Sequence, residues 1–126
     1  MNVKNLINDV LSNQFVKTEV LMKKFGCKLA DSEDTYCLNQ GDNIVYFFFH
    51  DESPYPSRVV VKQQYKAEPS KYTVKDTVLD CYVNRQEGRH QLDISYSYID
   101  NRGGVIADSI INFFSKLNYR VCECCL

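Results

Sequence analysis

Apolar residues recur along this chain with two different periods, and the change from one to the other divides it. Near the start they fall at Val3, Leu6, Ile7, Val10 and Leu11, the i, i+3, i+4 spacing that lines one side of a helix. Asn2 is placed to cap that helix and Asn13-Gln14 to end it, so the pattern predicts a helix over 2–12. Residues 15–29 carry two patterns at once. Val16, Thr18, Val20 and Met22 alternate as a strand would, whereas Thr18 as N-cap, Glu19 in the first turn, Leu21 and Phe25 one turn apart and Gly26 as a stop describe a short helix. The capping signals favour the helix.

From Thr35 the period becomes two. Strands are expected at 35–38 and 43–50, on either side of the turn Asn39-Gln40-Gly41-Asp42. The second contains Ile44-Val45-Tyr46-Phe47-Phe48-Phe49, a run apolar on both parities, which predicts a strand covered on both faces. Pro54 and Pro56 force an excursion at 51–57. Further strands are expected near 59–66, at 73–84 with Leu79, Cys81 and Val83 on one face, and at 89–98. In the last of these His90, Leu92, Ile94, Tyr96 and Tyr98 alternate with Arg89, Gln91, Asp93, Ser95 and Ser97. A final helix over 105–117 carries the stripe Ile106, Ile110, Phe113, Phe114 and Leu117, and Asn118 can stop it. Beyond it, a Cys-rich tail at about 119–126 is expected to fray or to add one short strand.

Strands grouped between helices and joined by short connections imply an α+β fold. The expected form is an antiparallel five-stranded sheet with the N-terminal and C-terminal helices packed on one face, in a single domain spanning 1–126. Alternating βαβ units are missing from the pattern, which argues against a dinucleotide-binding or P-loop fold.

Composition narrows the function classes. The 126 residues include nine Tyr and seven Phe but no Trp, an aromatic content that suits a sheet. The net charge of −1 supplies no long-range field toward nucleic acid or an anionic membrane, leaving room only for a local patch. No stretch reaches the ~18 apolar residues of a membrane helix, and the start lacks the apolar core and cleavage site of a signal peptide. These features place the protein in the cytoplasm, or in a host's cytoplasm if it is viral, where thiols stay reduced.

Six cysteines lie at 27, 37, 81, 122, 124 and 125. Cys122, Cys124 and Cys125 are the densest cluster of reactive side chains, and thiolates suit zinc or cuprous copper. Their spacing is not that of paired Cys-x-x-Cys units, and in an extended segment Cys125 points away from the other two. His50-Asp51-Glu52 closes an apolar strand, but strand neighbours face opposite ways, so Asp51 is poorly placed to orient His50. Cys81 and His90 lie on strands expected to be hairpin partners and form a conceivable dyad without an oxyanion hole. Arg102-Gly103-Gly104 reads as a tight connection more readily than as an anion site. Lys17, Lys23, Lys24 and Lys28 surround the second helix, yet Asp31-Ser32-Glu33-Asp34 follows where a DNA-reading helix would be needed. Tyr46, Phe47, Phe48, Tyr96 and Tyr98 suggest a stacking platform for RNA, but the wet parity of 89–98 carries Gln91, Asp93, Ser95 and Ser97 rather than cations, so core packing is the better expectation.

No motif with a mechanism emerges. The sequence is therefore read as a small intracellular protein-binding protein, such as an inhibitor, an immunity-type protein or a viral or phage accessory factor, acting by surface complementarity more readily than by catalysis. Its partner is expected to be another protein, with nucleic acid disfavoured, no membrane partner, and a homodimer allowed. The expected contact residues are Asp51, Glu52 and Tyr55 in the Pro-flanked loop and Arg85, Glu87 and Arg89 in the next turn, since Tyr and Arg are enriched at interface hot spots. No cofactor is expected in that reading; the alternative is a thiol-based metal or redox protein using Cys122, Cys124 and Cys125, with zinc as the candidate metal.

Overall fold

Leu6, Ile7, Val10 and Leu11 give α1 (Val3–Ser12) a continuous apolar side, and all four are buried together with Val3. The computed structural model describes residues 3–12, 17–30, 34–49, 56–66, 73–85, 88–97 and 102–125. The ambiguous second segment forms a helix, α2 (Thr18–Lys24), with Lys17 rather than Thr18 at its N-cap. Its end explains the outcome. Gly26 takes φ +75°, its N–H donates to the Lys23 carbonyl at 3.1 Å, and the Cys27 N–H donates to the Met22 carbonyl at 2.9 Å. That pair of bonds is a Schellman closure, which satisfies the last carbonyls of a helix and leaves no strand pairing to compete.

The strands are β1 (Lys28–Leu29), β2 (Thr35–Gln40), β3 (Asn43–Phe48), β4 (Arg58–Lys66), β5 (Thr73–Asn84) and β6 (Gln91–Tyr96), followed by α3 (Arg102–Lys116) and β7 (Arg120–Cys125). They form one seven-stranded sheet in which each strand lies beside its neighbour in the chain. The β1–β6 pairings are antiparallel, and β7 runs parallel to β6. Parallel neighbours need a crossover, and α3 provides it. Asn118, at φ +64°, ends α3 with the same closure that ends α2. Its N–H bonds the Ser115 carbonyl, the Tyr119 N–H bonds the Phe114 carbonyl, and the Tyr119 and Phe114 rings meet at 4.8 Å.

The expected five-stranded antiparallel sheet with terminal helices on one face is therefore corrected to a seven-stranded, mostly antiparallel sheet with three helices among the described residues. One strand escaped the sequence pattern and a second was foreseen only as one of two outcomes, for physical reasons. β1 is two residues long, too short to show a period. β7 is rich in thiols and charges, and it gains its backbone partners from β6 rather than from a hairpin. Of the two outcomes expected for about 119–126, a frayed tail or one short strand, the strand is the one present, and one βαβ unit is present where none was anticipated.

One parity of the strands meets the helices. Val45, Phe47, Val59, Val61, Leu79, Cys81, Leu92 and Ile94 are fully buried and share a core with Leu6, Ile7, Met22, Ala107, Ile110 and Phe114. Between β4 and β5 the register slips: Val61 faces Leu79 but Lys62 faces Thr77, leaving Val78 as an extra residue. α3 crosses close to this bulge. A Cβ added at Gly103 would press into the Val78 carbonyl oxygen and lie 3.0 Å from the Ser97 backbone. Arg102-Gly103-Gly104 is thus a close helix–sheet approach within α3, not a loop before it.

Candidate functional site

The other parity of the same strands forms the outer face of the sheet, and its chemistry differs. Pairing sets Phe48, Arg58, Tyr82, Asp93 and Cys122 in one row across β3–β7, and Tyr46, Val60, Asp80, Ser95 and Cys124 in the next. Lys62 stands beyond, opposite Ile44 and Thr77. Tyr46 and Phe48 are half-buried and Tyr82 is 45% exposed, whereas Phe47 between the first two is fully buried.

Cations and rings alternate along this face. The Arg58 guanidinium carbon lies 4.8 Å from the centre of the Tyr82 ring and 5.1 Å from that of Phe48. Phe48 stacks on Tyr46 with centroids 6.5 Å apart and planes inclined by 29°, and Lys62 Nζ lies 5.8 Å from the Tyr46 centroid. Long cationic side chains lying over aromatic faces gain both packing and quadrupole attraction. Against the expectation that β3 is covered on both faces, its outer parity is covered only in part, by neighbouring β4 side chains.

Asp80 fixes the middle of the ladder. Arg58 Nε donates to Asp80 Oδ1 at 3.0 Å and Nη2 donates to Oδ2 at 2.7 Å, a two-pronged pair. That hydrogen bonding to the carboxylate holds the Arg58 guanidinium above its ordinary range. Tyr46, Phe48, Arg58, Val60, Lys62, Thr77 and Asp80 surround an open basin of about 290 Å³. Its floor is Val60, 4% exposed, and its rim carries Lys62, a cation that makes no ion pair among the described residues.

The residues expected from sequence to bind a partner lie elsewhere. Asp51, Glu52, Tyr55 and Glu87 fall outside the described residues, as do His50 and Tyr98. Arg89 is exposed beyond the end of β5. Arg85 is half-buried and tied inward: its Nε donates to the Tyr119 hydroxyl at 3.1 Å, and its guanidinium lies 5.9 Å from the Phe114 centroid. It fastens the end of β5 to the cap of α3. His90 is exposed and stacks on Tyr119 at 5.1 Å, while Cys81 is fully buried opposite Ile94, so no dyad forms.

The thiols are also redistributed. Strand alternation sets Cys122 and Cys124 on the outer face beside Asp93 and Ser95, and the Cys124 sulfur shares a 2.8 Å hydrogen bond with the Ser95 hydroxyl. Cys125 pairs through its backbone with Tyr96. Among the described residues, no group of three or more His, Cys, Asp or Glu side chains gathers to hold a metal ion. Burial pushes the Cys81 thiol up to about 12; burial, with a smaller contribution from Cys37, pushes the Cys27 thiol up to about 11.

Sequence reasoning missed Arg58, Lys62, Asp80 and Tyr82. The signal was the parity of β4 and β5: Arg58, Val60 and Lys62 alternate with Val59 and Val61, and Asp80 and Tyr82 alternate with Leu79, Cys81 and Val83. Matching the two alternations across one antiparallel pairing would have set these side chains together. Among the described residues, no helix is long and apolar enough to cross a membrane. No family model, curated protein or solved structure matches the chain.

Proposed function

We propose that this chain acts by binding another protein through the outer face of its sheet, by surface complementarity and without catalysis. The observation that carries this reading is the ladder in which Arg58, fixed by Asp80, lies between Tyr82 and Phe48. Tyr and Arg held rigidly near the centre of a surface are the residues that contribute most at protein interfaces, because little side-chain entropy remains to be lost on docking. Val60 and Ile44 add a dry floor, and Lys62 supplies one cation at the rim.

The same aromatics favour a nucleic-acid strand less. Bases stack on open ring faces above a cationic groove, whereas here Arg58 and Lys62 already lie over the rings and Asp80 and Asp93 share the face. In this reading the protein works in the cytoplasm as an inhibitor, immunity-type or accessory factor.

The test is capture of the tagged protein from its native source, followed by native mass spectrometry. Wild type is expected to carry a stoichiometric second polypeptide, and Tyr82→Asp to lose it while remaining cooperatively folded, its melting temperature lowered by the lost Arg58 contact but less than by a core substitution. Truncating such a hot spot costs about 2 kcal/mol or more in binding. Retention of the partner by Tyr82→Asp would refute the outer face as the contact. A protein that emerges alone would refute the binding reading itself.

A further inference from the structure

Charge is not shared evenly along the outer-face ladder. Arg58 and Asp80 neutralise each other through hydrogen bonds of 3.0 and 2.7 Å. Lys62, further along β4, faces Ile44 on one side and Thr77 on the other, and its ammonium makes no ion pair among the described residues. The register slip creates this setting. Without it Lys62 would face Val78, which is instead buried, and a hydroxyl now borders the cation. The surrounding acids do not cancel that charge. Asp76 stands opposite Gln63 and so falls on the other parity, and Asp93 lies two strands away beyond Tyr82. The next row holds one acid and one base, since the Asp42 carbonyl accepts from the Gln64 N–H and Lys75 stands opposite Gln64. Lys62 is left as the excess positive charge beside a basin of about 290 Å³ floored by Val60.

We propose that this basin takes an acidic side chain of the partner protein, its carboxylate against the Lys62 ammonium and the Thr77 hydroxyl, with an apolar neighbour from the same segment over Val60. The inference rests on the protein-binding reading and names the chemistry that reading requires of the partner. Two features select a carboxylate over a phosphate group. Arg58, the forked donor that suits phosphate, is already engaged by Asp80. The Asp80 carboxylate, which lines the same basin, would also repel a dianion more strongly than a monoanion. The apolar neighbour follows from the floor. A half-exposed ion pair contributes little by itself, whereas covering Val60 and the edges of the Tyr46 and Phe48 rings removes apolar surface from water. Tyr46 also holds the Lys62 stem in place, with Nζ 5.8 Å from its ring centre, so less side-chain entropy is lost when the carboxylate arrives.

The experiment is a titration of the isotope-labelled full chain with the blocked tripeptide acetyl-leucyl-glutamyl-leucinamide, read from amide chemical shifts. The glutamyl peptide is expected to move the Val60, Lys62 and Thr77 amides saturably, and its glutaminyl analogue to bind about threefold or more weakly. Lys62→Gln keeps the length of the stem and should leave the buried Val45 and Leu79 amides in place while binding both peptides equally weakly. No movement of the basin amides would overturn the proposal. So would equal binding of the two peptides by wild type, undiminished preference for the glutamyl peptide in Lys62→Gln, or inorganic phosphate moving the same amides as strongly. Capture from the native source separates this inference from the reading beneath it. A partner lost by Tyr82→Asp but kept in full by Lys62→Gln would overturn the inference and leave the protein-binding reading standing. A wild type that emerges alone would remove that reading and the inference with it.

Discussion

The two faces of the central strands are built from alternate residues of the same sequence, yet they are held together by different physics. Val45, Phe47, Val59, Val61, Leu79 and Cys81 form a dry layer against the helices, where shape and volume decide the packing. Tyr46, Phe48, Arg58, Asp80 and Tyr82 form a half-wet layer in which rings, cations and a carboxylate order one another. A position one residue along the chain passes from the first regime to the second. What sets the outer face apart from the rest of the exposed surface is a polar and aromatic arrangement fixed in place without a covering layer.

The sharpest test of that contrast uses neighbouring residues. Phe47→Ala removes a ring with no solvent exposure, and its loss of transfer energy plus a cavity should cost about 3–5 kcal/mol. Phe48→Ala removes a half-buried ring and one contact with Arg58, and should cost about 1–2 kcal/mol. Urea denaturation reads both. Equal losses would mean that the two faces are covered alike.

Next in size is the seam between the dry layer and α3. Gly103→Ala places a methyl group against the Val78 carbonyl and the Ser97 backbone, and neither can move without disturbing the bulge. Overpacking of this kind costs about 1–3 kcal/mol, even though alanine is the better helix former. A melting temperature at or above that of wild type would show that α3 can slide away from the sheet.

These positions also show what the sequence could convey. α1 and the buried stripe of α3 were legible because a long apolar period is hard to imitate. The two-residue β1 had no period to read, and β7 hid behind the chemistry of Cys122 and Cys124, which drew attention to ligands rather than to backbone pairing with Asp93 and Ser95. The outer-face ladder depends on registers between distant segments: Arg58 meets Tyr82 across one pairing and Phe48 across another. Each strand displays its own alternation, but their alignment is a tertiary property. Arg85 is a similar case, since its contacts with Tyr119 and Phe114 join segments that lie far apart in the chain.

The thiols offer a chemical version of the same comparison. Iodoacetamide should alkylate exposed Cys124 in the native protein, and reach fully buried Cys81 only after unfolding. Alkali should also act through the covered face. An unfolded thiol titrates near 9, but burial raises Cys27 to about 11 and Cys81 to about 12. The neutral thiols therefore contribute stability that is fully present below pH 9. It is lost as pH rises toward 11 for Cys27 and 12 for Cys81, because the unfolded chain releases protons that the folded chain retains. Each such group steepens the decline by about 1.4 kcal/mol per pH unit. Between pH 9 and 11, Cys81→Ala should decline less steeply than wild type by one such increment. A slope insensitive to Cys81→Ala would mean that water reaches this thiol.

The smallest expected difference concerns one polar pair on each side of the sheet. Between α1 and α3, Asn8 Nδ2 donates to Ser109 Oγ at 2.6 Å, while Asn8 Oδ1 is buried without a hydrogen-bond partner among the described residues. On the outer face, Arg58 and Asp80 form a charged pair that remains partly wetted. Double-mutant cycles with Asn8→Ala and Ser109→Ala, and with Arg58→Met and Asp80→Ala, should each return a coupling of about 1 kcal/mol. Their size will not separate the two regimes, but salt should. At about 1 M sodium chloride the Debye length falls to ~3 Å, so the Arg58–Asp80 coupling should shrink while the neutral Asn8–Ser109 coupling stays constant. A charged coupling that ignores salt would mean that Arg58 and Asp80 lie beneath a covering layer, and the outer face would then belong to the core rather than to a partner.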